Sequence, residues 1–214
     1  VTTFRIMVQN PNGINPNINN QELSASLSTC FSQCISLIGL PETNVEWQRY
    51  SNLEGMRNLL KKQWDGSALQ TSTSSEKFTE GYKPGGTLTA VCGAHWASKV
   101  TNKGADPTGM GRWSFITTKG VGDILVTFIT AYRVCLTTAM AAGEKTAYQQ
   151  QHRIWQGKFP NRPNDPRRQF ILDLQLFITK MQELGHDIVL MLDANEDITN
   201  RNRCIYPVTE IGGH

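Results

Sequence analysis

The sequence predicts an α/β domain in which two mixed β-sheets meet face to face and helices cover their outer surfaces. Two observations predict it. Apolar runs of strand length alternate with segments of helical period, in an order that is neither strict βαβ alternation nor a series of hairpins. At 214 residues the chain is also long enough for one sizeable domain, without requiring a split into two.

The elements follow in order. FRIMVQN (4–10) reads as a strand, followed by a loop rich in Asn, Pro and Gly. Asn19 and Glu22 have capping-box spacing, and Leu23, Leu27, Cys30 or Phe31, and Cys34 share one helical face. CISLIGL (34–40) is a second strand, ending at Pro41-Glu42-Thr43-Asn44. A helix is expected over 45–63, with Trp47, Leu53, Met56, Leu59 and Leu60 inward. SALQTSTS (67–74) is a weaker strand, and GGTLTAVCGAHWA (85–97) a better one. The segment 99–111 is a loop by its turn residues. Residues 112–132 read as a hairpin turning at Lys119-Gly120. A helix is expected over 144–156. The clearest helix is 164–185, with Asp165 as N-cap, Pro166 in the first turn and Gly185 as the stop. Its inward stripe is Phe170, Leu174, Phe177, Met181 and Leu184. A buried strand, HDIVLML (186–192), follows at once.

Composition is that of a globular protein, with 39% hydrophobic and 18% charged residues. The net charge of +3 permits a phosphate-rich partner without demanding one. No apolar run is long enough to cross a membrane. The chain opens on Val1, so it reads as a piece of a longer open reading frame. Five cysteines without a CxxC read as reduced thiols, which fits an intracellular setting, nuclear or cytoplasmic. Cys30 and Cys34 read as small buried hydrophobes rather than a metal pair.

Polar residues stand where the apolar strands stop. The first strand ends at Asn10-Pro11-Asn12-Gly13, the second at Glu42, and the last runs straight into Asp193-Ala194-Asn195. In an extended chain, side chains two apart share a face, so Asn10 pairs with Asn12 and Asp193 with Asn195. If these strands lie side by side, their ends form one concave, oxygen-rich site. Such ligands suit Mg²⁺ or Mn²⁺ rather than zinc, in a pattern used for phosphoryl transfer. Singly, each of these ends also reads as an ordinary turn. Their joint occurrence after apolar strands gives a site equal weight with three ordinary turns.

Four segments then carry a family resemblance. QNPNGI (9–14) is similar to the Asn-x-Asn-Gly opening of exonuclease III-like enzymes. SLIGLPETN (36–44) resembles the family's apolar strand followed by Gln-Glu-Thr. ILVTFITAY (124–132) resembles the strand that ends in its active-site Tyr, and IVLMLDANED (188–197) its Gly-Asp-Phe-Asn segment. All four occur in the family's order across nearly the whole chain. The chain is thus identified as resembling the endonuclease/exonuclease/phosphatase superfamily. That implies a DNase I-like four-layer α/β/β/α sandwich spanning residues 1–214. PGGTLTAV, GRWSFIT, ITAYRVC and DPRRQF look closest to endonuclease domains of non-LTR retrotransposons, placed upstream of a reverse transcriptase.

The resemblance implies roles. Asp193 would polarise or deprotonate the attacking water, and Asn195 would bind the scissile phosphate. Glu42 would hold the divalent metal with Asn12 beside it, and Asn10 would contact phosphate or order the metal shell. Tyr132 would face the phosphate as a donor; its plainer reading is a strand-end aromatic packed on the core. Arg133 would add positive charge nearby, although a solvated loop charge is the simpler expectation for it. Glu196 and Asp197 are either supports behind the site or the first residues of a loop. His95 has no family counterpart and reads as a half-buried strand residue.

The chain departs from the pattern at Pro41, where the family has Gln, and at Leu192, where it has Gly. The family also closes on an acid and a Ser-Asp-His motif, whereas EIGGH ends this chain. His214 therefore inherits no role. The last strands of the sandwich are expected to be missing, and this piece is expected to be less active than its parent by the roughly 10²–10⁴ of a lost acid/base group. The leading expectation is a DNA-nicking, Mg²⁺- or Mn²⁺-dependent phosphodiesterase. Its rivals are a catalytically impaired remnant that binds nucleic acid or a partner, and a phosphoesterase of the same fold acting on inositol lipids or sphingomyelin.

Overall fold

The computed structural model describes residues 3–77, 83–137, 141, 143–161 and 165–196. The first sheet contains β1 (Ile6–Val8), β2 (Leu37–Pro41), β3 (Ser67–Ser72) and β4 (Thr87–Cys92), in the order β1-β2-β4-β3. The second contains β5 (Val100–Ala105), β6 (Trp113–Lys119), β7 (Leu125–Tyr132) and β8 (His186–Asp193), in chain order. The helices are α1 (Gln21–Ser32), α2 (Tyr50–Lys61), the single turn α3 (Ala94–Ala97), α4 (Ala147–Lys158) and α5 (Pro166–Glu183). Among the described residues, no helix is long and apolar enough to cross a membrane.

Each sheet carries one parallel pair. β1 runs parallel to β2, and β7 parallel to β8. Parallel neighbours need a long crossover, and helices supply it: α1 between β1 and β2, α4 and α5 between β7 and β8. Parallel pairing sets the carboxyl ends of both strands at the same end of their sheet. That single fact governs where the site forms.

Strand alternation divides the core into layers. Ile38, Leu40, Leu88 and Ala90 pack outward beneath α1 and α2, against Leu23, Leu27, Met56, Leu59 and Leu60. Trp113, Phe115, Ile129 and Ala131 pack outward beneath α5, against Phe170 and Leu174. Truncating a buried residue such as Leu174 to Ala costs about 2–5 kcal/mol at sites of this kind. Between the sheets lie Leu37, Val91, Ile116, Phe128 and Met191. The intervening positions in this inner layer are hydroxyls. Thr89 Oγ1 bonds Thr130 Oγ1 at 2.8 Å and Ser114 Oγ at 2.9 Å, and Thr87 Oγ1 donates to Ser114 Oγ at 2.9 Å. Gly39 lets the sheets approach here, since a Cβ on it would lie 2.8 Å from Met191 Sδ and 3.0 Å from Thr130 Oγ1.

Most elements fall where the sequence places them, with instructive shifts. The α1 cap is Asn20 rather than Asn19, its side chain accepting from the Leu23 N–H. The helix expected from 45 begins at Tyr50, because residues 43–47 close a turn of their own, with Trp47 Nε1 donating to Thr43 Oγ1 at 2.9 Å. The strand expected to reach 97 ends at Cys92. Gly93 turns the chain with φ 89°, and Asp65 Oδ1 accepts the Ala94 N–H. His95 is therefore an exposed helical residue, packed edge-on to Trp96, not a half-buried strand residue. The expected loop at 99–111 contains β5. Its turn-rich composition hides an edge strand in which Gly104 makes room for the Phe115 ring. The hairpin turns through a short 3-10 segment, Val121–Asp123, instead of at Lys119-Gly120. The helix expected at 144–156 runs from Ala147 to Lys158, capped by Thr146. On α5 the inward stripe stops at Met181, and Leu184 is exposed. Cys34 is exposed as well, while Cys30 is buried as expected. Cys204 and the closing EIGGH lie outside the described residues.

Gly85 and Gly86 lead into β4, both in the left-handed region, at φ 83° and 80°. A Cβ on Gly86 would also stand 2.9 Å from the Ser72 carbonyl oxygen, a backbone atom that cannot swing away. Gly86→Ala is therefore expected to lower the unfolding free energy by about 1–3 kcal/mol, read as a lower urea midpoint at unchanged slope. An unchanged midpoint would show that this turn is not constrained as described.

Candidate active site

Four carboxyl ends of strands converge at one end of the two sheets, the place where open α/β sheets present groups to a ligand. Alternation explains two of the side chains. On β7, Phe128 and Thr130 face the inner layer, so Tyr132 does too. On β8, Met191 faces the inner layer, so Asp193 follows it. Glu42 breaks the pattern. Its parity would put it with Ile38 and Leu40 beneath the helices, but its φ of 54° interrupts the alternation. Its carboxylate instead turns to the strand ends.

The meeting point is Asn10. Its Nδ2 donates to Glu42 Oε2 at 2.8 Å and to Asp193 Oδ2 at 2.6 Å. One amide thus joins the first sheet to the second, across 183 residues of sequence. The amide's orientation is fixed from its other side, where Asn10 Oδ1 accepts the Asn12 N–H at 2.7 Å. Asp193 and Asn195 repeat this arrangement, the Asn195 N–H reaching Asp193 Oδ1 at 3.2 Å. Each strand end is thus an Asx turn whose third residue is left-handed, with φ 48° at Asn12 and 47° at Asn195. This corrects the basis of the sequence argument. Neither Asn10-Pro11-Asn12 nor Asp193-Ala194-Asn195 is extended, so the paired residues are coupled by a turn and not by sharing a face. Left-handed non-glycine residues at one spot, here Asn12, Glu42, Asn44 and Asn195, are the kind of backbone strain that concentrates at functional sites.

Tyr132 is almost fully buried at the end of β7. Burial pushes its phenol far above the ordinary range, and the Glu42 carboxylate, the Cys135 thiol and the Asp193 carboxylate push it the same way. The hydroxyl therefore stays protonated as a potential donor. Gly85 lies against its ring, with an added Cβ meeting Tyr132 Cε1 at 3.6 Å. The loop carrying Gly85 is tied to the Glu42 turn: Asn44 Oδ1 accepts the Gly85 N–H at 2.7 Å, and the Glu42 carbonyl accepts the Gly13 N–H at 2.9 Å.

Arg133 and Asn195 stand behind this cluster. Arg133 is buried, not a solvated loop charge. Its guanidinium is committed to the Glu196 carboxylate and the Arg167 carbonyl, so the charge points away from the cleft. Asn195 donates through Nδ2 to the Arg133 carbonyl at 2.7 Å, and its Oδ1 accepts from Cys135 Sγ at 3.4 Å. Its amide closes the turn here. Glu196 is a support behind the site, and Asp197 lies outside the described residues. Asn44, Gly85 and Arg167 carry supporting contacts that the sequence reading missed. Asn44 offered a weak signal, as the last residue of the Pro-Glu-Thr-Asn turn. Arg167 offered only its place in DPRRQF, a segment that stood out by resemblance and not by any local sign of burial.

The donor set suits a hard cation. Glu42 and Asp193 converge on a single positively polarised group, where a divalent ion would find two carboxylates. Among the described residues no group of three or more His, Cys, Asp or Glu comes together, which leaves such an ion dependent on water and phosphate oxygens, as magnesium tolerates.

Two solved structures share this architecture. An endonuclease/exonuclease/phosphatase family protein from Leptotrichia buccalis C-1013-b superposes with a TM-score of 0.54 at 12% identity, over 92% of this chain and 69% of its own. The human Nocturnin catalytic domain, solved with a bound sulfate anion, superposes with a TM-score of 0.55 at 12% identity, over 92% of this chain and 66% of its own. The chain thus spans about two thirds of each. No family model and no curated protein sequence matches the chain. The likeness establishes the fold, a DNase I-like α/β/β/α sandwich of two mixed sheets.

The raised Tyr132 phenol has a measurable consequence. An unfolded phenol ionises near pH ~10, and the folded one later. The stability it contributes is whole below that pH and lost as pH rises above it. Tyr132→Phe should therefore unfold less steeply than the parent in alkali. At about pH 10.5 the folded parent and the variant should show equal tyrosinate absorbance. One extra tyrosinate in the folded parent would mean that the hydroxyl is open to water.

Proposed function

We propose that the chain is a metal-dependent phosphodiesterase that nicks DNA, from a retrotransposon polyprotein that continues into a reverse transcriptase or another downstream domain and acts in the nucleus or cytoplasm. The observation that carries this reading is the pair of carboxylates, Glu42 and Asp193, brought from different sheets onto one amide beside a buried phenol. The fold supports the broader class of hydrolase, since proteins of the endonuclease/exonuclease/phosphatase type share it. The four motifs in order, and the four segments resembling non-LTR endonuclease domains, support the finer one.

In this reading Asp193 takes the proton of the attacking water. Its carboxylate is held by two donors, so its direction is set before substrate arrives. Tyr132, kept protonated, donates to the phosphate. Asn10 orients the two carboxylates and contacts either the phosphate or the metal shell. Glu42, with Asn12 beside it, holds Mg²⁺ or Mn²⁺, which when bound neutralises charge on the phosphate. Arg133 acts through the turn rather than on the substrate, and Asn195 meets phosphate only if its amide exchanges the Arg133 carbonyl for it.

Asp193→Asn keeps the size and removes the base. Nicking of supercoiled plasmid in Mg²⁺ is expected to fall by at least ~10²-fold, while DNA affinity changes far less, because Lys and Arg contacts to phosphate dominate it. Nicking at the parental rate would make Asp193 a turn residue. A parent that binds DNA and never nicks it with any divalent metal would favour the binding-remnant reading. Glu42→Ala is expected to weaken Mn²⁺ binding by calorimetry at least ~10-fold, since a hard cation loses a carboxylate; unchanged affinity would remove Glu42 from the metal site.

A further inference from the structure

Behind the cleft lies a buried charge cluster of which the mechanism above uses only Arg133. Arg133 and Arg167 are 8% and 4% exposed, and one oxygen of Glu196 accepts from both guanidiniums. Two buried cations beside each other are costly unless a carboxylate joins them. Three further bonds of these residues end on the turn that carries Asp193. The Arg133 N–H donates to the Asp193 carbonyl at 2.9 Å, the Arg133 carbonyl accepts from Asn195 Nδ2 at 2.7 Å, and Arg167 Nη2 donates to the Asn195 carbonyl at 3.2 Å. Arg167 also donates to the Val134 carbonyl, and Arg133 Nε to the Arg167 carbonyl at 3.3 Å. β7, β8 and the start of α5 are thus stitched together through Glu196.

We propose that Glu196 is a positioning residue for the phosphodiester chemistry, acting through Arg133 and Arg167 to hold the Asp193–Asn195 turn. This rests on the functional reading above. The carboxylate gathers the two guanidiniums. The Arg167 guanidinium then holds the Asn195 carbonyl at one end of the turn, the backbone of the tethered Arg133 holds the Asp193 carbonyl and the Asn195 amide, and the clamped turn aims Asp193 Oδ2 at Asn10. Without the negative charge the guanidiniums repel, the turn loosens and Asp193 leaves its direction. Glu196 touches neither water nor phosphate in this scheme.

The test is Glu196→Gln, which keeps shape and removes charge, set beside Glu196→Asp. Plasmid nicking is measured together with the side-chain amide NMR signals of Asn10 and Asn195, on protein shown to be folded by circular dichroism. The expected result is a kcat loss of about 10–100-fold for Glu196→Gln with KM for DNA within about threefold, partial recovery in Glu196→Asp, and shifted, faster-exchanging Asn195 amide signals. Parental kcat with unmoved amide signals would overturn the proposal. If the parent itself nicks no DNA, the functional reading fails and the NMR arm alone decides the clamp: moved Asn10 and Asn195 signals support it, unmoved ones end it. Should Glu196→Gln not fold, Arg133→Lys, which keeps the charge and loses the fork, is read in the same way.

Discussion

The site depends on one hydrogen-bonded amide. Asn10 Nδ2 lies 2.8 Å from Glu42 Oε2 and 2.6 Å from Asp193 Oδ2, so it separates two carboxylates that would otherwise repel. Everything around it serves that juxtaposition. Parallel pairing in each sheet brings strand ends to one side, and the hydroxyl layer with Gly39 lets the sheets approach closely enough for one amide to span them. Tyr132 is anchored at the same level, its N–H bonded to the Arg112 carbonyl at 2.8 Å. Arg112 is itself buried, and ion-paired with Asp106 at 2.7 Å and Asp173 of α5 at 2.8 Å. The strand end that carries the phenol is therefore pinned to a helix.

Three loops complete the frame. The turn after β2 is held to the Asn10 loop through the Glu42 and Thr43 carbonyls, which accept from Gly13 and Ile14 at 2.9 Å each. It is held to the start of β4 through Asn44 and Gly85. The turn after β8 is held by the Arg133–Glu196–Arg167 cluster. Charged groups buried behind a cleft fix direction at a cost in desolvation, which is useful where a carboxylate must face one way.

Much of this was legible in the sequence. The polar residues at the ends of apolar strands named Asn10, Glu42 and Asp193, the family resemblance named Tyr132, and the structure brings these together. Simple strand alternation carries Asp193 and Tyr132 inward in the structure. Glu42 was named by position after an apolar strand and by resemblance, yet alternation alone would have pointed it the wrong way, since a left-handed φ is invisible in a residue type that rarely adopts it. β5 was hidden because edge strands carry turn-like residues such as Asn102 and Gly104. Arg133 was misread as solvated because its partners, Arg167 and Glu196, lie 34 and 63 residues away, and no local pattern records such a pairing.

The central claim is that Glu42 holds a cation at the end of the strands, facing the Asp193 carboxylate of the other sheet. Anomalous diffraction from crystals soaked in Mn²⁺ tests it most directly. The account predicts one strong peak at bonding distance from the Glu42 carboxylate, on the side facing Asp193 and Asn10, and no such peak in Glu42→Ala crystals. A peak elsewhere, or the same peak surviving in Glu42→Ala, would contradict it.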